Sequence, residues 1–223
     1  MVVFAKAPVA GLAKTRLIPA LGAEAAAALA EQLLEHAMRA AMAAGFDHVE
    51  LCVTPDATHP AFGRLVASDG RRRMALGTQG GGDLGARMDR ALARLLRSHA
   101  QCLLIGTDAP ALDADRLAAA REALAGHDAV FVPALDGGYA LVGLAAPAPA
   151  LFADIEWSSA RVMMQTRMRA KAAGLRWREL EPVADIDDPE DLVHLPSEWS
   201  WPAAWGPRLG AAAPETGNRT EME

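Results

Sequence analysis

The alternation of short apolar runs with longer helical patterns constrains the fold of this chain more than any other feature. Six runs have the length and composition of strands: residues 1–5, 49–54, 74–76, 102–105, 129–133 and 139–144. A later candidate strand lies at residues 175–180. Helical patterns lie among them, at residues 23–44, 84–96, 113–124 and 158–174. This repeated succession predicts an α/β domain with a mostly parallel sheet. Such sheets bind ligands at the carboxyl ends of their strands, so site residues should follow strands.

The chain divides by composition into a domain at residues 1–195 and a tail at residues 196–223. The tail holds four prolines and three tryptophans ahead of a polar end. We expect it to lie on the surface of the domain and to be disordered toward its end. A tryptophan-lined binding groove is the alternative interpretation.

Charge and composition argue against several classes of function. The formal net charge of −6 disfavours a general nucleic-acid binder, because affinity for a phosphate backbone needs a basic surface. The first apolar run is too short for a signal peptide, and charged residues interrupt the alanine-rich stretch at 23–44, so no membrane span is predicted. Cys52 and Cys102 lie in predicted strands and are interpreted as buried thiols. The cytoplasm is the expected location.

A basic loop follows the first predicted strand. Lys6, Lys14 and Arg16 lie in it, and no acidic residue occurs before Glu24. In a chain of net negative charge, such a segment favours an anion, and Gly11 would let backbone amides approach phosphate oxygens. The loop is therefore a candidate phosphate site. A surface loop with solvated bases is the alternative.

Carboxylates occur in two further loops. Asp108 comes directly after the buried run at 102–105, where a carboxylate can hold Mg²⁺ or Mn²⁺ together with phosphate oxygens. A turn-forming aspartate ahead of proline is the alternative interpretation. Downstream, Asp188 suits a helix cap, but this leaves Asp185 and Asp187 unexplained. Because such close like charges repel, a cation would relieve them.

The segment Asp136-Gly137-Gly138-Tyr139 joins two predicted strands. Its dipeptides suit the positive φ angles of a hairpin turn. In the functional alternative, a sugar or acceptor lies against the glycines while Asp136 orients or deprotonates a hydroxyl.

A glycine-rich loop runs from Gln79 to Leu84 and enters a predicted helix. Its amides could contact a nucleotide base or a pyrophosphate. A plain loop with Asp83 as the helix cap is the alternative interpretation.

Taken in chain order, these segments resemble a bacterial family of small GT-A-type glycosyltransferases that is labelled as acting in arsenosugar biosynthesis. The segments that carry the resemblance are Phe4-Ala5-Lys6-Ala7-Pro8, Gly11, Lys14-Thr15-Arg16-Leu17, Gln79, Gly82-Asp83-Leu84-Gly85-Ala86-Arg87-Met88, Gly106-Thr107-Asp108-Ala109-Pro110, Pro133, Asp136-Gly137-Gly138-Tyr139, Trp157-Ser158-Ser159 and Asp185-Ile186-Asp187. The resemblance covers residues 1–195. The same layout is more distantly similar to molybdenum-cofactor and 2-phospholactate guanylyltransferases.

The resemblance implies a single-domain, Rossmann-like three-layer sandwich of the nucleotide-diphospho-sugar transferase type. It implies that the nucleotide and its phosphates are bound by Lys6, Pro8, Gly11, Lys14, Thr15, Arg16, Gln79, Gly82, Asp83 and Leu84. It also implies Mg²⁺ or Mn²⁺ at Asp108 and Asp187, and an acceptor or sugar against Gly137, Gly138, Tyr139 and Trp157. Glycosyltransferases of this type usually carry an Asp-x-Asp pair, and this chain has one carboxylate at Thr107-Asp108-Ala109.

These observations predict transfer of a sugar from a nucleotide-diphosphate donor to a small-molecule acceptor. Asp108 would hold the cation, and Asp136 would take the proton of the acceptor hydroxyl. One alternative is a nucleotidyltransferase that releases pyrophosphate from a nucleoside triphosphate. Another is a protein that binds a nucleotide sugar without turning it over.

Overall fold

The strands pair into one sheet in the order β3-β2-β1-β4-β6-β5-β7. The computed structural model describes residues 1–68, 74–197 and 199. The strands of these residues are β1 Val2–Lys6, β2 Val49–Thr54, β3 Met74–Thr78, β4 Cys102–Ile105, β5 Ala129–Pro133, β6 Tyr139–Leu144 and β7 Trp177–Glu179. Only β6 runs antiparallel to its neighbours β4 and β5 among these strands. The predicted α/β fold with a mostly parallel sheet is confirmed.

Helices cover both faces of the sheet. The α-helices of the described chain are α1 Ile18–Leu21, α2 Ala23–Ala43, α3 Pro60–Ser68, α4 Leu84–Leu95, α5 Ala114–Leu124 and α6 Val162–Ala172. An aspartate caps two of them: Asp83, as predicted, accepts a hydrogen bond from the backbone amide of Ala86, and Asp113 accepts one from that of Arg116, each at 2.8 Å. No helix in the described ranges is long and apolar enough to cross a lipid bilayer.

Two cores give the molecule its three layers. One lies between the sheet and helices α2, α3 and α5, and the other lies between the sheet and helices α4 and α6. Cys52 and Cys102 are unpaired and buried among these strands, as predicted, and burial raises the pKa of their thiols to about 12 and about 11. A third, smaller cluster joins the loop after β1 to the chain near residue 186. This last cluster fixes the geometry of the site described below.

Three helices differ from the sequence prediction, and one of them is α1, which was not predicted. Helix α6 begins at Val162 and not at Ser158, which has a left-handed φ of 62°. In the turns that precede this helix, the Ser159 hydroxyl donates a hydrogen bond to the carbonyl of Glu156. Helix α3 was not predicted, although Phe62 and Val66 are buried four residues apart on one face. Of the predicted tail, Trp199 packs against the third cluster, and residues 200–223 lie outside the described residues.

Candidate functional site

A cleft of about 710 Å³ opens at the carboxyl ends of β1, β3 and β4. Strand β6 contributes its first residues to the same edge because it runs in the opposite direction to its neighbours. The predicted site residues that line the cleft are Lys6, Lys14, Thr15, Arg16, Gln79, Leu84, Asp108, Asp136, Gly138, Tyr139, Trp157 and Asp187. The structure therefore brings the basic loop and the distant carboxylates to one place, where parallel sheets bind their ligands.

Five predicted site residues do not line the cleft, and each has a local structural role. Pro8 is buried, and Gly11 has a φ of 80° in the turn of the basic loop. The carbonyl of Gly82 accepts a hydrogen bond from a neighbouring arginine, and Asp83 caps α4. Gly137 has a φ of 94°, and a side chain there would overlap the backbone of the loop before α6.

Lys14 lies at the centre of the charged groups. Its ammonium is 2.5 Å from Asp108 Oδ1 and 3.0 Å from Asp187 Oδ1, and it donates a hydrogen bond to the carbonyl of Ile186 at 2.6 Å. Only 7% of the lysine side chain is exposed. Burial alone would lower the pKa of Lys14, but the charges of Asp108 and Asp187 outweigh it and the pKa is raised. We call the space bounded by these three oxygens the cation position.

The burial of neighbouring apolar residues brings the three oxygens of the cation position close to one another. Leu17, just after the basic loop, and Ile186, between the two aspartates, are both fully buried in the third cluster. The amide of Ile186 also donates a hydrogen bond to the carbonyl of Asp108 at 2.8 Å. Since Ile186 points into this cluster, Asp185 and Asp187 on either side of it line the cleft.

The other two bases of the loop bind differently from Lys14. Lys6 donates a hydrogen bond to the carbonyl of Leu12 at 2.6 Å, which closes the loop on itself. Arg16 lies 3.6 Å from Asp188, and both side chains are largely exposed. Exposed pairs of this kind contribute little to stability. Of the three bases in this loop, Arg16 is therefore the one whose side chain can most easily bind a ligand.

Asp185 lines the cleft but was not among the predicted metal ligands. Burial raises its pKa to about 6, and the nearby charges of Asp136, Asp187 and Asp108 act in the same direction. The signal that could have identified it was the Asp-Ile-Asp pattern itself, because one buried isoleucine places both of its neighbours on the opposite side. A cation bound among these carboxylates would favour the charged form and lower this pKa again.

The turn between β5 and β6 is the predicted hairpin. Asp136 Oδ1 accepts a hydrogen bond from the amide of Gly138 at 2.7 Å, and β5 pairs antiparallel with β6. Asp136 is nevertheless exposed at the cleft. Its structural interpretation is confirmed, and its role as a base stays a prediction.

Gln79 connects the strand ends beneath the cleft. Its side-chain amide donates hydrogen bonds to the carbonyl of Ala5 at 3.3 Å and to that of Cys52 at 3.2 Å, which leaves its carbonyl oxygen as the group able to meet a ligand. Arg90 donates hydrogen bonds to the carbonyls of Gln79 and Gly81 and so fixes the glycine-rich loop. This arginine was not among the predicted site residues.

An aromatic wall closes one side of the cleft. Trp157 and Tyr139 meet edge to face, with ring centroids 6.4 Å apart. Gly85 makes this possible, because a side chain there would come within 2.6 Å of the Trp157 ring. The Tyr139 hydroxyl donates a weak hydrogen bond to Met88 Sδ at 3.9 Å, and burial raises its pKa. The rings therefore offer apolar surface to a ligand.

The comparisons with solved structures define the class of the fold. A candidate nucleotide-diphospho-sugar transferase from Desulfovibrio desulfuricans G20 is 28% identical, with a TM-score of 0.79 over 92% of this chain and 90% of its own. A CMP:2-keto-3-deoxy-manno-octonic acid synthetase complexed with CTP is 12% identical, with a TM-score of 0.53 over 86% and 94%. The Mycobacterium tuberculosis protein Rv0371c, complexed with manganese, is 17% identical, with a TM-score of 0.51 over 86% and 95%.

The fold is thus the Rossmann-like α/β fold shared by nucleotide-diphospho-sugar transferases and cytidylyltransferases. Residues 37–159 match the model of a family described as an uncharacterized protein conserved in bacteria (DUF2064). The chain belongs to this family. No curated protein matches its sequence significantly.

Proposed function

We propose that this protein transfers a sugar from a nucleotide-diphosphate donor to a small-molecule acceptor with the help of a divalent cation. The observation that carries the proposal is the cation position, where a basic loop and two distant carboxylates converge in one cleft. The similarity to the candidate nucleotide-diphospho-sugar transferase of Desulfovibrio desulfuricans supports this class of donor. The sequence resemblance to glycosyltransferases labelled as acting in arsenosugar biosynthesis supports glycosyl transfer.

The charges of the cleft favour a metal-assisted reaction. Its lining holds the acids Asp108, Asp136, Asp185 and Asp187 against the bases Lys6, Lys14 and Arg16. A diphosphate would meet a net repulsion there unless a further cation came with it.

The residues of the cation position fit a divalent cation. Carboxylate oxygens of Asp108 and Asp187 already converge on one positive charge, the ammonium of Lys14. The described residues contain no group of three or more His, Cys, Asp or Glu side chains able to hold a metal, so phosphate oxygens would complete the coordination. Asp108 and Asp187 would hold Mg²⁺ or Mn²⁺, which when bound neutralises charge on the leaving diphosphate. The manganese complex of Rv0371c, a protein of this fold, is consistent with that choice.

The remaining residues would bind and orient the substrates. Arg16 and Lys14 would neutralise phosphate oxygens, and the free carbonyl oxygen of Gln79 would accept a hydrogen bond from the base. Asp136 would take the proton of the acceptor hydroxyl. Trp157 would pack against the sugar or the acceptor. The place of each side chain in the lining of the cleft supports its proposed role.

Nucleotidyl transfer is the second candidate, favoured by the CTP complex of a synthetase with the same fold. In that reaction a nucleoside triphosphate would lose pyrophosphate to a small-molecule acceptor. A third candidate, a sensor that binds a nucleotide sugar, would use the same cleft without turnover.

Product analysis separates the three candidates. We expect nucleoside diphosphate to be released from a nucleotide sugar in the presence of Mn²⁺ and a small-molecule acceptor mixture. The rate should exceed that of an Asp108→Asn control by about 100-fold. Release of pyrophosphate from a nucleoside triphosphate, with no diphosphate from any sugar nucleotide, would replace glycosyl transfer with nucleotidyl transfer. Ligand binding with neither product would identify a sensor.

A further inference from the structure

We propose that Lys14 is an exchangeable occupant of the cation position: its ammonium holds Asp108 and Asp187 together and leaves when a divalent cation binds there. The inference rests on the proposed function for the identity of the cation site. It adds that free metal and Lys14 compete for the same two carboxylates. A divalent cation would then bind with high affinity only together with a polyanion that attracts the Lys14 ammonium away from the two carboxylates.

The hydrogen bonds of the Lys14 ammonium leave it no N–H donor for a further ligand. A lysine ammonium has three N–H donors. Those of Lys14 face three acceptors, at 2.5 Å on Asp108, 3.0 Å on Asp187 and 2.6 Å on the carbonyl of Ile186. In this arrangement all three donors are used. The Lys14 ammonium must therefore move before it can donate fully to a phosphate.

Electrostatic repulsion prevents the Lys14 ammonium and a divalent cation from sharing the cation position. Two positive ions a few ångströms apart repel strongly in a partly buried site, so the cation position holds either the ammonium or a divalent ion. The carboxylates themselves remain open to water, with 46% of the Asp108 side chain and 42% of the Asp187 side chain exposed. An incoming ion can therefore reach them from the cleft while Lys14 blocks the space between.

The backbone of Lys14 has an unfavourable conformation that the contacts of its side chain stabilise. This residue has φ 47° and ψ 47°, a left-handed conformation that is unfavourable for a non-glycine residue. Its contacts with the two carboxylates and the Ile186 carbonyl compensate for this cost. A bound nucleotide would offer phosphate oxygens as new acceptors, and the long lysine side chain could turn to them without any movement of the sheet.

Manganese binding to the nucleotide-free protein tests the proposal. Free Mn²⁺ can be counted by its electron paramagnetic resonance signal during titration of the full chain. We expect Lys14→Met to bind Mn²⁺ at least about 10-fold more tightly than the wild type. Lys14→Gln, which removes the charge but keeps a polar side chain, should show the same gain and guards against misfolding of the first variant.

The control is Lys6→Met, which removes a positive charge from the same cleft but has no contact with the carboxylates in the described structure. Its affinity for Mn²⁺ should change by less than about 3-fold because a more distant charge is screened. Adding Asp187→Asn to Lys14→Met should abolish the gain. Unchanged or weaker binding in both Lys14 variants, or no binding in any variant, would overturn the proposal. Because no nucleotide is present, these results do not depend on which product the enzyme releases.

Discussion

Replacing Asp108 with asparagine should lower turnover about 100-fold, which corresponds to roughly 3 kcal/mol of lost transition-state stabilisation. The substitution removes the negative charge that would hold the cation at the leaving diphosphate. It should hardly change stability, because the Asp108 side chain is 46% exposed and Lys14 keeps its contacts with Asp187 and Ile186. The measurements are the initial rate of nucleoside diphosphate release and the melting temperature.

Asp115→Asn is the matched control for this prediction. Asp115 is an exposed carboxylate in the first turn of α5, downstream of the same loop, and it does not line the cleft. Its loss should leave turnover near the wild-type rate. Near-normal turnover in Asp108→Asn as well would remove Asp108 from the mechanism.

Arg94→Ala should lower the free energy of unfolding by about 3 kcal/mol, because it leaves a buried carboxylate without its partner. Arg94 donates hydrogen bonds to both carboxylate oxygens of Glu50, at 2.6 and 2.8 Å, and only 4% of the Glu50 side chain is exposed. Gly77 on the neighbouring strand makes room, since a side chain there would come within 2.5 Å of that carboxylate. Urea unfolding measures the loss.

Arg167→Ala provides the comparison, because Arg167 also binds both oxygens of a carboxylate, that of Glu179, at the surface. Breaking this exposed pair should cost less than about 1 kcal/mol. A double variant, Glu50→Met with Arg94→Met, should recover much of the stability lost in Arg94→Ala, because it buries no lone charge. Equal losses in the two single arginine variants would contradict the explanation by burial.

Local patterns predicted most of the fold because strands and helices leave short-range signals. The apolar runs, the Asp83 cap, the helix that begins after Asp113 and the Asp-Gly-Gly hairpin all formed as expected. The start of α6 could not be read locally, because residues there contact distant parts of the chain: Trp157 packs against Gly85, and the amide of Met163 donates a hydrogen bond to the carbonyl of Gly137 at 2.8 Å. These contacts join residues far apart in the chain, so no local pattern indicates them.

The sequence predicted which segments meet at the site better than it predicted which side chains contact one another there. Parallel-sheet geometry placed the basic loop and the carboxylates at one edge, as expected. The pairing of Lys14 with Asp187 spans 173 residues, and a lysine in a phosphate-binding loop has the same local sequence whether it faces phosphate or carboxylate. Arg90 was missed for a similar reason, since its hydrogen bonds to loop carbonyls depend on how the loop folds back on α4.

The central claim is that a nucleoside diphosphate binds in this cleft through a cation held by Asp108 and Asp187. Thermal melting with nucleoside diphosphates, in Mn²⁺ or in a chelator, tests it most directly. In Mn²⁺, a preferred nucleotide at a hundred times its dissociation constant should stabilise the protein by about 2.7 kcal/mol, with little effect in chelator or in Asp187→Asn. The same stabilisation in chelator and in Asp187→Asn would contradict the account.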